Sequence, residues 1–199
     1  KEAFADVDST RLRDYHTHVV GLATDVTGAW VNPRMQVWHK PINRLKFAAY
    51  LDAAGLDSLE NADQRYIDRL VRLIRNIDGH GPYHLLAFDR HYLEDGTVSE
   101  EHSEFYLPNE YVFSLAQKYP DVFLPTMSVH PYRKDAVVEL EKWAAAGGRF
   151  VKWLPNAMGI DPSSPLCDPF YEALVRLNLV LLTHAGEEQA VEAAEFQRL

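Results

Sequence analysis

The chain has 199 residues, of which 47% are hydrophobic and 25% are charged, a composition typical of a globular protein with a sizeable core. Its formal net charge of −9, with no dense cluster of Lys and Arg, argues against a surface that binds nucleic acid. No run approaches the roughly 18 apolar residues that a membrane span requires, so we expect neither nucleic acid nor a membrane among its partners.

The first predicted element is a strand that carries His16 and His18. Side chains two residues apart on a strand share a face, so both imidazoles would leave the same side of the sheet. Two such rings can reach one ion at about 2.0–2.1 Å, the usual distance between zinc and a histidine nitrogen. Asp14 shares that face, where it could orient an imidazole. The alternative is a surface strand that ends in two incidental histidines, and the pair alone leaves both interpretations open.

A helical insertion is predicted next, at about residues 40–80. It contains candidate helices over 44–54 and 62–77. The second has an apolar stripe that we expect to be buried: Ile67, Leu70, Val71, Ile74 and Ile77. From residue 83 onward, short apolar runs alternate with amphipathic stretches. This pattern predicts strands over 84–88, 122–129, 150–154 and 179–183, and helices over 108–119, 135–146, 168–177 and from 187 onward.

Strands that are apolar on both faces and are separated by helices indicate a parallel α/β sheet. Potentially reactive side chains lie where the predicted strands end: His16 and His18, Asp89, His130, Lys152 and His184. In parallel barrels this end of the strands carries the active site, because the βα loops converge there. The pattern therefore favours a metal centre over a set of incidental loop residues.

Three segments carry a family resemblance. Asp-Tyr-His-Thr-His at 14–18 matches a His-x-His motif at the end of a first barrel strand. Gly-Arg-Phe-Val-Lys-Trp-Leu-Pro at 148–155 is similar to a fourth-strand segment, Gly-Phe-x-Lys-x-x-Pro. Leu-Val-Leu-Leu-Thr-His-Ala-Gly at 179–186 is similar to a fifth strand that ends in His-x-Gly. In this order and spacing they resemble the amidohydrolase superfamily, in particular its amidohydrolase 2 branch of metal-dependent hydrolases and decarboxylases.

The resemblance implies a (β/α)8 TIM barrel, of which about five β/α units are present in one domain over residues 1–199. It implies that His16, His18 and His184 bind one or two divalent ions, with zinc expected. Lys152 has two interpretations: a carbamylated bridge between two ions, or a cation that binds a substrate carboxylate or phosphate. Carbamylation needs a neutral amine, which burial near cations favours.

A complete barrel needs about 250 residues and eight strands. The resemblance places a sixth-strand histidine and an eighth-strand aspartate beyond Leu199, and the aspartate would accept the proton from a metal-bound water. We therefore expect the sequence to be part of a longer chain.

The function expected from the resemblance is hydrolysis of a small molecule, in which a metal-activated water attacks an amide, lactone, ester or related bond. Lys152 is a candidate catalytic residue, and His130, Asp89 and Arg133 are candidate substrate contacts. For His130 and Asp89 an ordinary loop hydrogen bond is an equal alternative. The alternative reaction is decarboxylation of a small aromatic or unsaturated acid, with Arg133 as a carboxylate anchor, and a barrel that binds without turnover is a third hypothesis.

The single cysteine, Cys167, is compatible with a reducing compartment. The sequence begins at Lys1 rather than Met, and no signal-like apolar segment follows. We expect a cytoplasmic protein, with an export signal removed ahead of Lys1 left open. A homo-oligomer is also left open.

Overall fold

Five short strands run parallel in one sheet. The computed structural model describes residues 7–19, 21, 27–33, 52, 55–56, 58 and 60–185. The sheet strands are β1 Asp14–His18, β3 Tyr83–Leu86, β5 Phe123–Met127, β6 Phe150–Trp153 and β7 Val180–Thr183. Two further strands, β2 Trp30–Val31 and β4 Phe105–Tyr106, belong to a separate ribbon. Apart from these two, each strand lies beside the one that precedes it in the chain, which is the strand order of a parallel barrel.

The connections between these strands carry the helices. They are α1 Ala62–Arg75, α2 Asn109–Lys118, α3 Ala136–Ala145, α4 Pro155–Met158 and α5 Asp168–Arg176. In α1, Ile67, Val71 and Ile74 are buried on one stripe, so amphipathic periodicity explains this helix. Leu70 is only partly buried, and the prediction is wrong for Ile77, which lies beyond the end of the helix and is 49% exposed. Helix α3 ends at a glycine, Gly147, whose φ of 100° is readily adopted only without a Cβ.

The outer face of the sheet packs against the helices. Leu85, Phe123, Val151 and Trp153 point to this side and belong to the hydrophobic core, where the ring of Trp153 lies 4.9 Å from that of Phe170 in α5. Because successive strand residues alternate in direction, the residues between them point to the opposite, inner face.

The inner face carries an aromatic stack. The ring of Tyr15 lies 4.5 Å from His84 and 5.5 Å from Phe150, and His84 Nδ1 is 3.2 Å from the Thr126 hydroxyl. Tyr15 on the first strand thus reaches a ring on β6, so the sheet is curled. The architecture is a half-barrel with helices outside, as the TIM-barrel expectation requires.

A separate two-stranded ribbon lies in the loops that follow β1 and β3. It consists of β2 Trp30–Val31 and β4 Phe105–Tyr106, paired antiparallel, with Trp30 opposite Tyr106. Leu107, directly after β4, also forms an isolated antiparallel bridge with Phe88, two residues after β3. The sequence did not indicate this ribbon, because strands of two residues have no measurable periodicity.

The remaining predicted elements that lie within the described residues are confirmed, with each end within two residues of the prediction. The predicted helix over 62–77 is α1, the crossover from β1 to β3, and it is the described part of the predicted insertion. The helix over 44–54 lies almost wholly outside the described residues, and the one from 187 lies entirely outside them. Among the described helices, none is long and apolar enough to cross a membrane.

Candidate active site

A bulge in β1 sets the direction of the first two histidines. Asp14 pairs with Tyr83 and Thr17 with Leu85, so β1 has one more residue than its partner over this interval. The Asp14 carboxylate accepts the backbone N–H of His16 at 2.8 Å, within this irregular stretch. An extra residue of this kind re-aims the side chains beside it. Tyr15 therefore stacks on the inner face while the adjacent His16 also approaches inner-face residues.

The rings of His16, His18 and His184 lie close together. The ring centroids of His16 and His18 are 4.9 Å apart, and those of His16 and His184 are 6.2 Å apart. Two imidazoles on one ion, each with a nitrogen at about 2.1 Å, have centroids roughly 5 Å apart at a tetrahedral angle. The first pair has this spacing, whereas His184 lies about 1 Å farther away.

A ligand set is not fully assembled in this geometry. Among the described residues, no group of three or more His, Cys, Asp or Glu side chains is arranged so that it could hold a metal ion. The chemistry of the donors nevertheless suits a divalent ion, because neutral imidazole is a common ligand of zinc and other transition metals. The assignment of His16, His18 and His184 as ligands stays a prediction.

Lys152 lies on the inner face of β6. It is two residues from Phe150, whose ring contacts Tyr15 and His84, and its side chain is buried, with the residue 4% exposed. Lys152 pairs with Leu182 of β7, so His184, two residues further on, continues along the same face. The backbone N–H of His184 donates to Trp153 O at 3.1 Å, which extends the β6–β7 ladder to this histidine.

Asp89 and Arg133 form an ion pair in the neighbouring loops. Arg133 Nη1 lies 3.1 Å from Asp89 Oδ2, and its Nε and Nη2 donate to Asp135. Asp89 also accepts the backbone N–H groups of His130 and Arg90, at 2.9 and 2.8 Å. Both candidate substrate contacts are thus bonded within the protein.

Burial and charge act in opposite directions on this pair. Burial raises the pKa of the Asp89 carboxyl, and Arg133 and the backbone N–H groups oppose that rise. For Arg133, burial lowers the pKa, but the hydrogen bond to Asp135 and the charge of Asp89 outweigh it and raise the pKa overall.

His130 uses both ring nitrogens inside the protein. It is fully buried; Nδ1 accepts the backbone N–H of Tyr132 at 3.1 Å, and Nε2 lies 2.8 Å from Met158 O. Burial lowers the pKa of its imidazole to about 3, so the ring is neutral near pH 7. These contacts are the loop hydrogen bonds that the sequence left as the alternative to substrate binding.

Arg90 is the residue at this edge that sequence reasoning missed. It follows Asp89 directly, and its guanidinium carbon lies 5.1 Å from the ring centroid of Trp30 and 4.8 Å from that of Tyr106. The only available signal was its position just after a predicted strand. Its aromatic partners come from the unpredicted ribbon.

Similarity to known proteins is found among solved structures. No family model and no curated protein matches the chain. The solved structures similar to it include an uncharacterised TIM-barrel protein from Bordetella bronchiseptica, with 14% identity and a TM-score of 0.54. That match covers 88% of this chain and 56% of the other. The chain therefore has the TIM-barrel fold and spans little more than half the length of this relative.

Two further solved structures have lower TM-scores. One is a 5-carboxyvanillate decarboxylase from Novosphingobium aromaticivorans with bound manganese and a nitrobenzoic acid derivative, at 18% identity and a TM-score of 0.48. The other is a probable 2-pyrone-4,6-dicarboxylic acid hydrolase from Acinetobacter baumannii, at 17% identity and a TM-score of 0.41. They cover 86% and 87% of this chain, which spans 49% of each.

Proposed function

We propose that the chain belongs to a metal-dependent TIM-barrel enzyme, in which His16, His18 and His184 bind a divalent ion and a small molecule is hydrolysed. The reaction class is attack of water on an amide, lactone, ester or related bond. Zinc is the proposed ion, because three imidazoles form a donor set typical of zinc sites. Since the chain spans about half of its structural relatives, the activity is proposed for the whole natural protein.

One observation supports this proposal above the others. His16 lies on β1 and His184 follows β7, the two edge strands of the five-stranded sheet. In a flat sheet with strands about 4.8 Å apart, these edges would be roughly 19 Å apart. The two rings are instead 6.2 Å apart, because the curl of the sheet brings them together across the inner face. Incidental histidines on opposite edges have no reason to meet.

Each described residue of the candidate site would have a distinct role in the proposed reaction. A bound divalent ion lowers the pKa of water and polarises the bond that is attacked. His16, His18 and His184 would hold that ion as neutral ligands. The Asp14 carboxylate fixes the backbone of His16 and so orients the first ligand strand. The proton acceptor is assigned to a carboxylate beyond this sequence, as the resemblance implies.

Lys152 would act from the inner face beside the ligands. Its burial suits either a carbamylated bridge or a cation that binds a substrate anion. A wild-type protein with two ions, one of which is lost in Lys152→Ala, would favour the bridge. A single ion that is retained in the same variant would favour the cation.

Metal analysis of the full-length protein tests the proposal. The protein is purified without chelator, and the zinc, manganese and iron bound per chain are measured for wild type, His16→Ala, His18→Ala and His184→Ala. We expect at least one ion in wild type and at least about 10-fold weaker metal binding in each variant, since even outer contacts of a metal site cost that much. Hydrolysis of ester, lactone and amide panels is expected to fall in parallel.

His80→Ala is the matched control. This histidine lies just before β3, at the end of the sheet where the strands begin and away from the proposed ligands. Its Nδ1 lies 3.3 Å from Gly81 O. Its metal content and activity should equal those of wild type. Unchanged metal content and activity in His16→Ala and His18→Ala would refute the proposal.

Decarboxylation of a small aromatic or unsaturated acid is the second candidate. An arginine that anchors a substrate carboxylate would favour this reaction, and the sequence offered Arg133 as a candidate, but Arg133 is bonded to Asp89 and Asp135. We therefore place hydrolysis first. Measuring CO2 release from aromatic acids beside the hydrolysis panels separates the two reactions.

A further inference from the structure

Arg90 lies at the end of the half-barrel where the parallel strands terminate. It follows β3, and the N–H of the preceding Asp89 donates to the Ser128 hydroxyl at 3.0 Å, just beyond β5. The Ser128 hydroxyl in turn donates to Lys152 O on β6 at 3.0 Å. Hydrogen bonds thus link the backbone beside Arg90 to the ends of β5 and β6, at the same end of the sheet as the proposed ligands.

Two aromatic rings position its guanidinium. Trp30 and Tyr106 are direct cross-strand partners in the β2–β4 ribbon, so their side chains lie on the same face of it. The guanidinium carbon of Arg90 is 5.1 Å and 4.8 Å from the two ring centroids, within the range of a cation–π interaction. These contacts restrict a side chain that is otherwise one of the most mobile, which lowers the entropic cost of binding a ligand.

The contacts with Trp30 and Tyr106 leave the N–H donors of the Arg90 guanidinium available for hydrogen bonds. A guanidinium has five N–H donors that lie in its plane. In the described part of the chain, no acceptor bonds to the Arg90 side chain; only its backbone N–H has a partner, the Asp89 carboxylate. The neighbouring Arg133 contrasts with it, because that guanidinium is bonded to both Asp89 and Asp135.

We propose that Arg90 binds an anionic oxygen group of the substrate, a carboxylate or a phosphate. This proposal rests on the proposed function, because Arg90 lies at the same end of the strands as the proposed metal ligands. The planar fork of an arginine matches two oxygens of either group at once. Arg90 is half-buried, and so are Trp30 and Tyr106, so a small molecule can reach it. It replaces Arg133 as the candidate anchor for substrate charge.

Binding of three small probes tests the proposal on the full-length protein. Benzoate and phenyl phosphate carry the two anionic groups, and benzamide matches benzoate in shape without its charge. Titration calorimetry is run on wild type, Arg90→Gln and Arg90→Lys. We expect wild type to prefer at least one anion over benzamide, and Arg90→Gln to weaken that anion by about 10- to 100-fold, the usual effect of losing hydrogen bonds to a charged group.

Arg90→Lys separates charge from geometry. It keeps the positive charge and loses the planar fork, so we expect an intermediate affinity. The anion that is affected more, benzoate or phenyl phosphate, identifies the group that the site takes. Benzamide binding should change by less than about 2-fold in both variants, because it forms no charge-assisted bond.

Arg75→Gln is the matched control. Arg75 also lies over a tyrosine ring, Tyr119, at 5.8 Å, but its Nε and Nη2 donate to Asp121 at 2.9 Å each. It ends α1, and its partner Asp121 lies two residues before β5, so Arg75 lies at the end of the sheet where the strands begin. Anion binding in this variant should equal that of wild type.

Two results would overturn the proposal. One is a wild-type protein that binds neither anion in preference to benzamide, and the other is an Arg90→Gln variant that binds the anions as wild type does. Metal content is measured on the same samples and should be unchanged in Arg90→Gln. A wild-type protein without metal that still prefers an anion through Arg90 would refute the proposed function and leave the anion site standing.

Discussion

The two ring nitrogens of His130 have opposite roles. Nδ1 accepts an N–H from the Tyr132 backbone, so the proton must lie on Nε2, which donates to Met158 O. This tautomer satisfies both nitrogens only while the ring is neutral. Protonation would place a second N–H against a donor in a site without water access, and the low pKa, about 3, follows from that burial.

His130 therefore makes stability depend on pH. Its pKa is about 3 in the folded protein and about 6.5 in the unfolded chain. Below about pH 6.5 the unfolded state gains a proton that the folded state does not, so stability falls as the pH is lowered toward 3. The slope contributed by one such group is up to about 1.4 kcal/mol per pH unit.

Urea unfolding of wild type and His130→Asn at pH 7.5, 6 and 5 measures this slope. We expect the variant to be less stable at pH 7.5 and to lose less stability on acidification. His84 and His91, whose pKa values burial also lowers, should contribute the slope that remains. Equal slopes in the two proteins would contradict the assignment.

Among the elements, β5 shows how a proline is accommodated inside a sheet. Pro125 has no N–H to donate, and prolines are uncommon in central strands. The β5–β6 pairing begins only at Thr126, opposite Phe150, so Pro125 lies before the β6 partner starts. The strand β5 therefore accommodates Pro125, although a proline at this position argues against a central strand.

The short helix α4 ends at a glycine that has no room for a side chain. Gly159 has a φ of 69°, and a Cβ there would overlap the buried ring of His91. Gly159→Ala should therefore lower the free energy of unfolding by about 2–4 kcal/mol, combining the backbone penalty with overpacking. Thermal or urea unfolding measures the loss.

Gly147→Ala is the control for the backbone penalty alone. Its φ is 100°, but a Cβ there would have no atom within 4 Å. We expect a loss of about 1 kcal/mol. A cost for Gly159→Ala no larger than this would mean that His91 moves aside freely.

Periodicity predicted the regular elements because long apolar stripes and two-sided apolar runs are local properties of the chain. The bulge in β1 and the β2–β4 ribbon were not predictable in this way, since each depends on a partner far along the sequence. The candidate site divides along the same line. The histidines and Lys152 were identified from their places at strand ends, whereas the role of Arg90 depends on Trp30, some sixty residues earlier.

At the scale of the whole molecule, the Asp89–Arg133 pair ties together the loops that follow β3 and β5. Asp89 is buried, accepts two backbone N–H groups and contacts Arg133 across these loops. If Arg133 is removed, a carboxylate is left buried without its counter-charge, which is costly in any protein interior. The pair therefore maintains the loop edge on which the candidate site depends.

Arg133→Gln should lower the free energy of unfolding by about 3 kcal/mol or more, as when one partner of a buried ion pair is lost. Arg176→Gln is the comparison, because Arg176 pairs with Glu141 on the surface, 2.7 Å apart. That change should cost no more than about 1 kcal/mol. Similar losses in the two variants, measured by urea unfolding, would show that the buried pair does not stabilise the loops.

The meeting of His16 and His184 also orders events during folding. His16 lies on the first described strand of the sheet and His184 directly follows the last. A contact of such long sequence separation is expected to form late, after the intervening strands have paired. An ion held by both would favour the completed curl over any intermediate that lacks β7. If these histidines bind the proposed ion, the nascent chain would acquire it during synthesis only after the fifth sheet strand had emerged and docked.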